Sequence, residues 1–184
     1  MLAKPGPTPP VLRSGAQQGD VVMVTGSLGG SGAGKHLSFT PRVAEALQLA
    51  RMVDIHAMID ISDGLASDLG HICRQSNVDA VIEASAVPIS QSARSCSDPL
   101  LCALADGEDF ELLFCVSSSA AELLQRQWQS GLQISRIGRI VAPKDPQTGR
   151  RERVYLQNPD GSQELLSVKG WEHFRERSVS QNDQ

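Results

Sequence analysis

Short apolar runs typical of buried strands alternate with segments of helical periodicity, and this alternation limits the fold more than any other feature. The predicted strands cover residues 21–25, 57–61, 80–83, 111–116, 134–141, 154–156 and 164–166. Helices are predicted to begin at Pro41 and after Gly64, and a further helix is predicted at roughly 119–130. Together these elements predict an α/β or α+β domain with a mixed sheet and helices packed against it.

Turn signals predict how several of these elements end. Asn77 is expected to end the second helix, and Ser117–Ser119 can cap the helix that follows them. Residues 143–151 are predicted to form a hairpin-like turn, and 158–161 a turn between the last two strands. Residues 90–99 are expected to be a polar loop.

The overall composition excludes several classes of protein. The chain has 184 residues, 40% of them hydrophobic, which is enough for one domain with its own core. Its net charge of -4 disfavours nucleic-acid binding, because proteins that bind phosphate backbones are usually basic. No apolar run reaches the roughly 18 residues of a transmembrane helix, and the first residues lack the apolar segment of a signal peptide.

The four cysteines lack CxxC spacing, so their spacing predicts neither a zinc site nor a disulfide framework. We therefore expect a cytoplasmic protein. Prolines concentrated near the start predict that residues 1–18 form a flexible tail or the remnant of a linker. Residues 19–175 are expected to form the domain, and 176–184 a second flexible tail.

A glycine-rich stretch after the first strand is similar to the phosphate-binding P-loop. It runs from Gly29 to Gly34 and is followed by Lys35, which would reach phosphates in such a loop. His36 stands where the motif needs a hydroxyl for Mg²⁺, and Pro41 interrupts the helix expected after Lys35. A flexible glycine turn without a ligand is therefore favoured, and a P-loop NTPase stays as an alternative.

The turn after the second predicted strand, residues 60–64, combines two carboxylates with a hydroxyl. On a strand Asp60 and Ser62 point to the same side, and Asp63 follows at a helix N-terminus, where N–H groups attract anions. These oxygen ligands suit Mg²⁺. Asp63 alone could be only a helix cap, whereas Asp60 interrupts an apolar strand, where an unpaired charge is costly. We expect a site for Mg²⁺ and phosphate here.

A second acidic segment, residues 106–111, precedes the fourth strand. Its four acids repel one another unless cations or hydrogen-bond donors are near, and a solvated acidic loop is the common alternative. The apolar strand directly behind it predicts a position at a sheet edge or end, where α/β sites tend to lie. Near the C-terminus, Trp171 is expected to anchor the chain on the core or to stack on a flat heterocycle.

These segments, taken in order, resemble the thiamine-monophosphate kinases of the AIR synthase-related (PurM-like) superfamily. The resemblance covers about residues 19–174, and its most specific part is 58–65, continuing to 68–72. Residues 107–114 resemble the family's GGEDYELLF segment, and 170–174 resemble its closing motif. The resemblance implies a PurM-like C-terminal domain. Related branches carry other residues in place of Ile61-Ser62-Asp63-Gly64-Leu65, so the kinase branch is favoured.

The family phosphorylates thiamine monophosphate to thiamine diphosphate with ATP and Mg²⁺. By this resemblance Asp60 and Asp63 bind Mg²⁺, and Ser62 contacts the phosphates of ATP. The resemblance also implies that Glu108 or Asp109, together with Trp171, contacts the thiamine substrate. No residue is assigned as a catalytic acid, base or nucleophile, since positioning and charge neutralisation are the main requirements of phosphoryl transfer.

The chain also departs from the family pattern. The family has an N-terminal domain that supplies further Asp ligands, much of the ATP site and the usual dimer surface, whereas this chain has a proline-rich stretch there. The resemblance therefore implies a homodimer or association with an N-terminal ATP-binding domain. Asp106 stands where the family more often has glycine. A non-catalytic relic that binds a partner chain or a thiamine phosphate is the alternative.

Overall fold

A computed structural model of the chain describes residues 9–34, 37, 39–144 and 153–166, and these form a mixed sheet with helices on both faces. The strands are β1 (Val21–Thr25), β2 (Ala57–Asp60), β3 (Asp79–Glu83), β4 (Leu112–Val116), β5 (Ile134–Val141), β6 (Val154–Gln157) and β7 (Gln163–Leu165). The α-helices are α1 (Val43–Met52), α2 (Leu65–Ser76), α3 (Pro99–Ala105) and α4 (Ser118–Gln127). The predicted fold class is confirmed, and the predicted strands are correct to within a residue or two.

The strand order is β2-β4-β1-β5-β3-β6-β7, with β1 and β5 near the centre. Neighbouring strands are antiparallel except β3 and β6, which are parallel. Most of the hairpin-like turn predicted at 143–151 lies outside the described residues, and the strands on either side of it, β5 and β6, are separated in the sheet by β3. The turn predicted at 158–161 is confirmed, since it joins the antiparallel pair β6 and β7.

The hydrophobic core lies on both faces of the sheet, and β1 contributes to both. Val22 and Val24 face one way and pack in the cluster that includes Leu69 of α2. Met23 faces the other way and packs in the cluster that includes Leu49 of α1. All five residues of β1 are buried, which is why its sequence is uniformly apolar until Thr25 instead of alternating.

Two helix ends follow the predicted capping signals, and one short helix was not predicted. Asn77 ends α2 in the left-handed conformation, and the Ser117 hydroxyl accepts a hydrogen bond from the Ala120 N–H of α4. The polar loop predicted at 90–99 gives way to α3 at its end. Asp98 caps α3 by accepting a hydrogen bond from an N–H in its first turn, and Pro99 occupies the first helical position.

The described part of the proline-rich segment contacts the rest of the domain. The N–H groups of Gly15 and Ala16 both donate to the Ser76 hydroxyl at 3.1 Å, and the Met58 N–H donates to the Leu12 carbonyl at 2.9 Å. Residues 12–16 therefore contact α2 and lie along β2, whereas the outer limits of the domain stay a prediction. Among the described residues, no helix has the length and apolar character needed to cross a bilayer.

The close approach of β5 to β3 gives a first prediction. A Cβ atom at Gly138 would overlap the backbone carbonyl of Val81, whereas a Cβ at Gly131 would meet open space. We expect Gly138→Ala to lower the free energy of unfolding by about 1–3 kcal/mol, since the two strands must move apart. Gly131→Ala is the control and is expected to change it by less than about 0.5 kcal/mol. Urea unfolding measures both, and equal effects would contradict the prediction.

Candidate functional site

The two acidic segments lie side by side because β2 and β4 are antiparallel neighbours, so that the end of β2 meets the start of β4. Three backbone hydrogen bonds continue the pairing beyond the strands. The Ile61 N–H donates to the Glu111 carbonyl at 2.8 Å, and the Phe110 N–H donates to the Ile61 carbonyl at 2.9 Å. The Glu108 N–H donates to the Ser62 carbonyl at 2.8 Å. The turn at 60–64 and the loop at 106–111 therefore form one surface.

The backbone of the 106–111 loop is tightly constrained against that turn. Gly107 has a φ of 67°, and a Cβ there would lie 2.7 Å from the Ser62 carbonyl oxygen. Glu108 and Phe110 each have a φ of 51°, in the left-handed region that residues other than glycine rarely adopt. Each such residue costs of order 1 kcal/mol, and conformations of this kind cluster at functional sites.

The predicted metal ligands lie at the surface of this region. Asp60 is the last residue of β2, and both Asp60 and Asp63 are exposed, whereas Ser62 is half-buried. Asp60 does not place a costly charge inside an apolar strand, as the sequence predicted, because the strand ends there and the carboxylate reaches solvent. The proposed roles of all three residues in binding Mg²⁺ and phosphate stay predictions.

Asp68 holds the 60–64 turn in place, a role that the sequence analysis missed. Its side chain is 1% exposed, and its Oδ2 accepts hydrogen bonds from the N–H groups of Ser62 at 2.9 Å and Asp63 at 3.0 Å. Burial, together with the nearby carboxylates of Asp63 and Asp60, raises the pKa of Asp68 to about 6.

His71 lies beside the carboxylates of Asp63 and Asp68. Ligand atoms of Asp63, Asp68 and His71 lie within 4.8 Å of one another. The sequence signal that could have found this group is the i, i+3 spacing of Asp68 and His71 on α2, which places both on one face of the helix.

The glycine-rich loop is held by two carboxylates of the acidic segment. Asp109 is 3% exposed, and both of its oxygens accept the Gly29 N–H, at 2.8 and 3.0 Å. The Gly30 N–H donates to Asp106 Oδ2 at 3.1 Å. A P-loop would need such N–H groups for phosphates, so this geometry speaks against the P-loop alternative. Lys35 and His36 lie outside the described residues.

A partly buried ion pair ties the acidic segment to the start of α1. Arg42 donates from Nε and Nη2 to the two oxygens of Glu111 at 2.8 and 2.7 Å, and the Thr25 hydroxyl donates to Glu111 at 2.7 Å. Glu111 is 3% exposed and Arg42 19%. The hydrogen bond to Glu111 raises the pKa of Arg42. Asp106, Asp109 and Glu111 each accept hydrogen bonds, which answers the repulsion noted in the sequence.

The two acidic residues predicted to contact the substrate differ in burial. Asp109 is buried against the glycine-rich loop, whereas Glu108 is half-buried beside the turn. Trp171 lies outside the described residues. The rings of Phe39 and Phe110 stack with centroids 4.2 Å apart, so an aromatic surface that the sequence analysis missed adjoins the acidic loop.

Comparison with known proteins identifies the family. Residues 17–149 match the family described as AIR synthase related protein, C-terminal domain. The chain belongs to this family. It is similar to the thiamine-monophosphate kinase of Rhodopirellula baltica, with 40% identity over 158 residues that cover 80% of this chain and 49% of that relative. The chain spans about half the length of the relatives that it matches.

Two solved structures of related proteins have a similar fold. The thiamine-monophosphate kinase of Stenotrophomonas maltophilia K279a aligns with a TM-score of 0.66 and 32% identity, covering 82% of this chain and 53% of that one. The structure described as AaThiL complexed with AMPPCP and TMP aligns with a TM-score of 0.66 and 28% identity, covering 89% and 54%. These likenesses confirm the PurM-like C-terminal domain that the sequence implied.

The Arg42–Glu111 ion pair, in which the carboxylate is buried, gives a second prediction. Glu111→Gln removes the charge that Arg42 and Thr25 contact, and we expect it to lower the free energy of unfolding by about 2–3 kcal/mol. The control is Glu122→Gln in the exposed Arg126–Glu122 pair, where the expected loss is about 0.5 kcal/mol or less. Denaturant unfolding compares the two variants, and similar losses would show that burial does not strengthen the Arg42 pair.

The raised pKa of Asp68 gives a third prediction. Its pKa rises from 3.8 to about 6 on folding, so between these values the folded chain binds more protons than the unfolded chain. The stability contribution of this group therefore falls as pH rises through that window. Asp68→Asn keeps an acceptor for the two N–H groups, and we expect its stability relative to the unmodified chain to increase as pH rises from about 4 to 7.

Urea unfolding at several pH values, in the presence of a chelator, measures this difference. Asp54→Asn, which removes an exposed carboxylate outside the turn, controls for the general loss of negative charge. A difference between Asp68→Asn and the unmodified chain that stays constant over the whole pH range would contradict the prediction.

Proposed function

We propose that this chain carries the C-terminal part of a kinase that transfers the γ-phosphoryl group of ATP to thiamine monophosphate. An oxygen of the substrate phosphate forms the new bond to the γ-phosphorus, the bond from that phosphorus to the bridging oxygen of ADP breaks, and thiamine diphosphate results. The observation that carries the proposal is the surface formed by the 60–64 turn and the 106–111 loop, in a chain similar to thiamine-monophosphate kinases. The chemistry needs positioned charges more than an acid or a base.

The donor set of the 60–64 turn fits Mg²⁺. Asp60 and Asp63 present exposed carboxylates at the N-terminus of α2, and oxygen ligands are those that this hard cation prefers. Mg²⁺ bound there would neutralise phosphate charge. Asp68 has its Oδ2 committed to the turn, so we assign it to positioning Asp63 and not to direct binding.

Ser62 would contact the phosphates of ATP through its hydroxyl. Its backbone N–H already donates to Asp68, so this group is committed to the turn. Helix N-termini favour anions, and α2 begins three residues after Ser62. The similarity to a structure described as containing AMPPCP and TMP supports a nucleotide and a phosphorylated ligand at such a site.

We assign the recognition of thiamine to Glu108 rather than to Asp109. Both oxygens of Asp109 hold Gly29, so Asp109 would shape the loop while Glu108 faces the substrate. The thiazolium ring of thiamine is cationic, so a carboxylate would attract it. Phe110, two residues further along the same loop, stacks on Phe39, and aromatic rings also suit a flat cation. Trp171 stays a predicted contact from the sequence.

We further propose that a second, ATP-binding unit completes the site. Large apolar side chains are exposed within the 37–47 stretch, next to the Arg42–Glu111 pair, and these are Leu37, Phe39, Val43 and Leu47. An apolar surface of this kind is typical of an interface. The unit would be a second copy of this chain or an N-terminal ATP-binding domain such as the family resemblance implies. A cytoplasmic location also stays a prediction.

The deciding experiment measures thiamine diphosphate formed by the full chain from ATP, Mg²⁺ and thiamine monophosphate. The chain is assayed alone and with the part of the Rhodopirellula baltica relative that it does not match. We expect product in at least one mixture, and Asp63→Asn is expected to lower its rate by about 100-fold or more, because a charge that stabilises the transferring group is lost. Asp54→Asn, an exposed acid outside both segments, is the control and should leave the rate unchanged.

Two results would overturn the proposal. Product formation that is unaffected by Asp63→Asn would show that the 60–64 turn is not the metal site. Folded protein that binds thiamine monophosphate calorimetrically, yet forms no product in either mixture, would leave a ligand-binding relic of the family and not a kinase.

A further inference from the structure

A second group of potential metal ligands lies at α3 and the start of the 106–111 loop, and it shares no residue with the group of Asp63, Asp68 and His71. The two thiols of Cys96 and Cys102 and a carboxylate oxygen of Asp106 lie within 4.8 Å of one another, and all three residues are half-buried. Cys102 and Asp106 are four residues apart along α3, so the helix places them on one face. Cys96 reaches the same place because it follows a short 3₁₀ turn just before α3.

The spacing of these atoms fits a small tetrahedral site. Zn²⁺ bonds to cysteine sulfur at about 2.3 Å and to carboxylate oxygen at about 2.0–2.2 Å, so its ligand atoms are roughly 3.5–4 Å apart. Donor atoms that already lie within 4.8 Å of one another need only small side-chain movements to reach this arrangement. A water molecule would be the fourth ligand.

The surrounding hydrogen bonds hold Asp106 in position. Its Oδ2 accepts the Gly30 N–H at 3.1 Å, and its own N–H donates to the Cys102 carbonyl at 3.0 Å. The Ser31 hydroxyl donates to the Asp106 carbonyl at 3.4 Å. In metal sites, hydrogen bonds of this kind orient the residue that binds the ion. Here the Gly30 N–H uses Oδ2 of Asp106, so Oδ1 would bind the ion.

The cluster is also one that a cation would stabilise electrostatically. The pKa of the Cys102 thiol is raised, first by its hydrogen bond to Cys96 and also by the carboxylate of Asp106. A divalent ion bound here would stabilise the thiolate form of Cys102.

We propose that Cys96, Cys102 and Asp106 form a binding site for a thiophilic divalent metal ion of the zinc class. The ion would join the end of α3 to the glycine-rich loop through Asp106, and would thereby steady the loop that starts at Gly107. The site lies outside the residues assigned to Mg²⁺ and substrate, so the inference does not depend on the proposed kinase activity.

The test uses the full chain, reduced and stripped of metal, and titrates it with Zn²⁺ against a chromophoric chelator and separately with Co²⁺. We expect a single equivalent of metal to bind, with the near-ultraviolet charge-transfer band of a cobalt–thiolate bond. Cys96→Ser and Cys102→Ser should each lose the band. Asp106→Asn keeps an acceptor for Gly30, and its affinity is expected to fall at least about tenfold.

Asp98→Asn is the matched control, because it removes a neighbouring acid while asparagine still caps α3. It should keep both the stoichiometry and the band. Metal binding without a thiolate band would place the ion elsewhere, for example at Asp63, Asp68 and His71, and would overturn the inference. A disulfide between Cys96 and Cys102 that persists under the reducing conditions would overturn it as well. Circular dichroism establishes that each variant is folded.

Discussion

The antiparallel pairing of β2 with β4 is the interaction on which the candidate site depends. Hydrogen bonds continue past the strand ends, from Ile61 to the Glu111 carbonyl and from Glu108 to the Ser62 carbonyl. A shift of one residue in this register would turn each side chain to the opposite face of the sheet. The position of Asp63 relative to Glu108 is therefore set by the strand pairing.

Five of the acids of the site fall into two groups by burial. Asp109, Glu111 and Asp68 are buried, and each accepts hydrogen bonds that hold a loop, a helix start or a turn. Asp60 and Asp63 are exposed and stay available to solvent ions. This division follows from desolvation, because a buried carboxylate needs hydrogen-bond donors from the protein, whereas an exposed one is hydrated by water. The buried acids build the support on which the exposed acids are presented.

Much of the fold could be predicted because its signals are local. The β-branched run of β1 and the capping serine of α4 were recognised from a few adjacent residues. Helix α3 was missed although Asp98 and Pro99 are good signals for a helix start, because seven residues give too few turns for a clear period. The burial of Asp60 was misjudged for a related reason, since the exact strand end is the least certain feature of a sequence pattern.

The sequence by itself determined the α/β character of the chain, the acidic turn at 60–64, the acidic loop at 106–111 and the family that these segments resemble. Only the tertiary structure decided which carboxylates are supports, that Arg42 pairs with Glu111, and that Cys96 and Cys102 lie beside Asp106. The physical reason is that periodicity and capping act between near neighbours. Partners brought together by a sheet whose strand order departs from chain order are distant in sequence and leave no local signal.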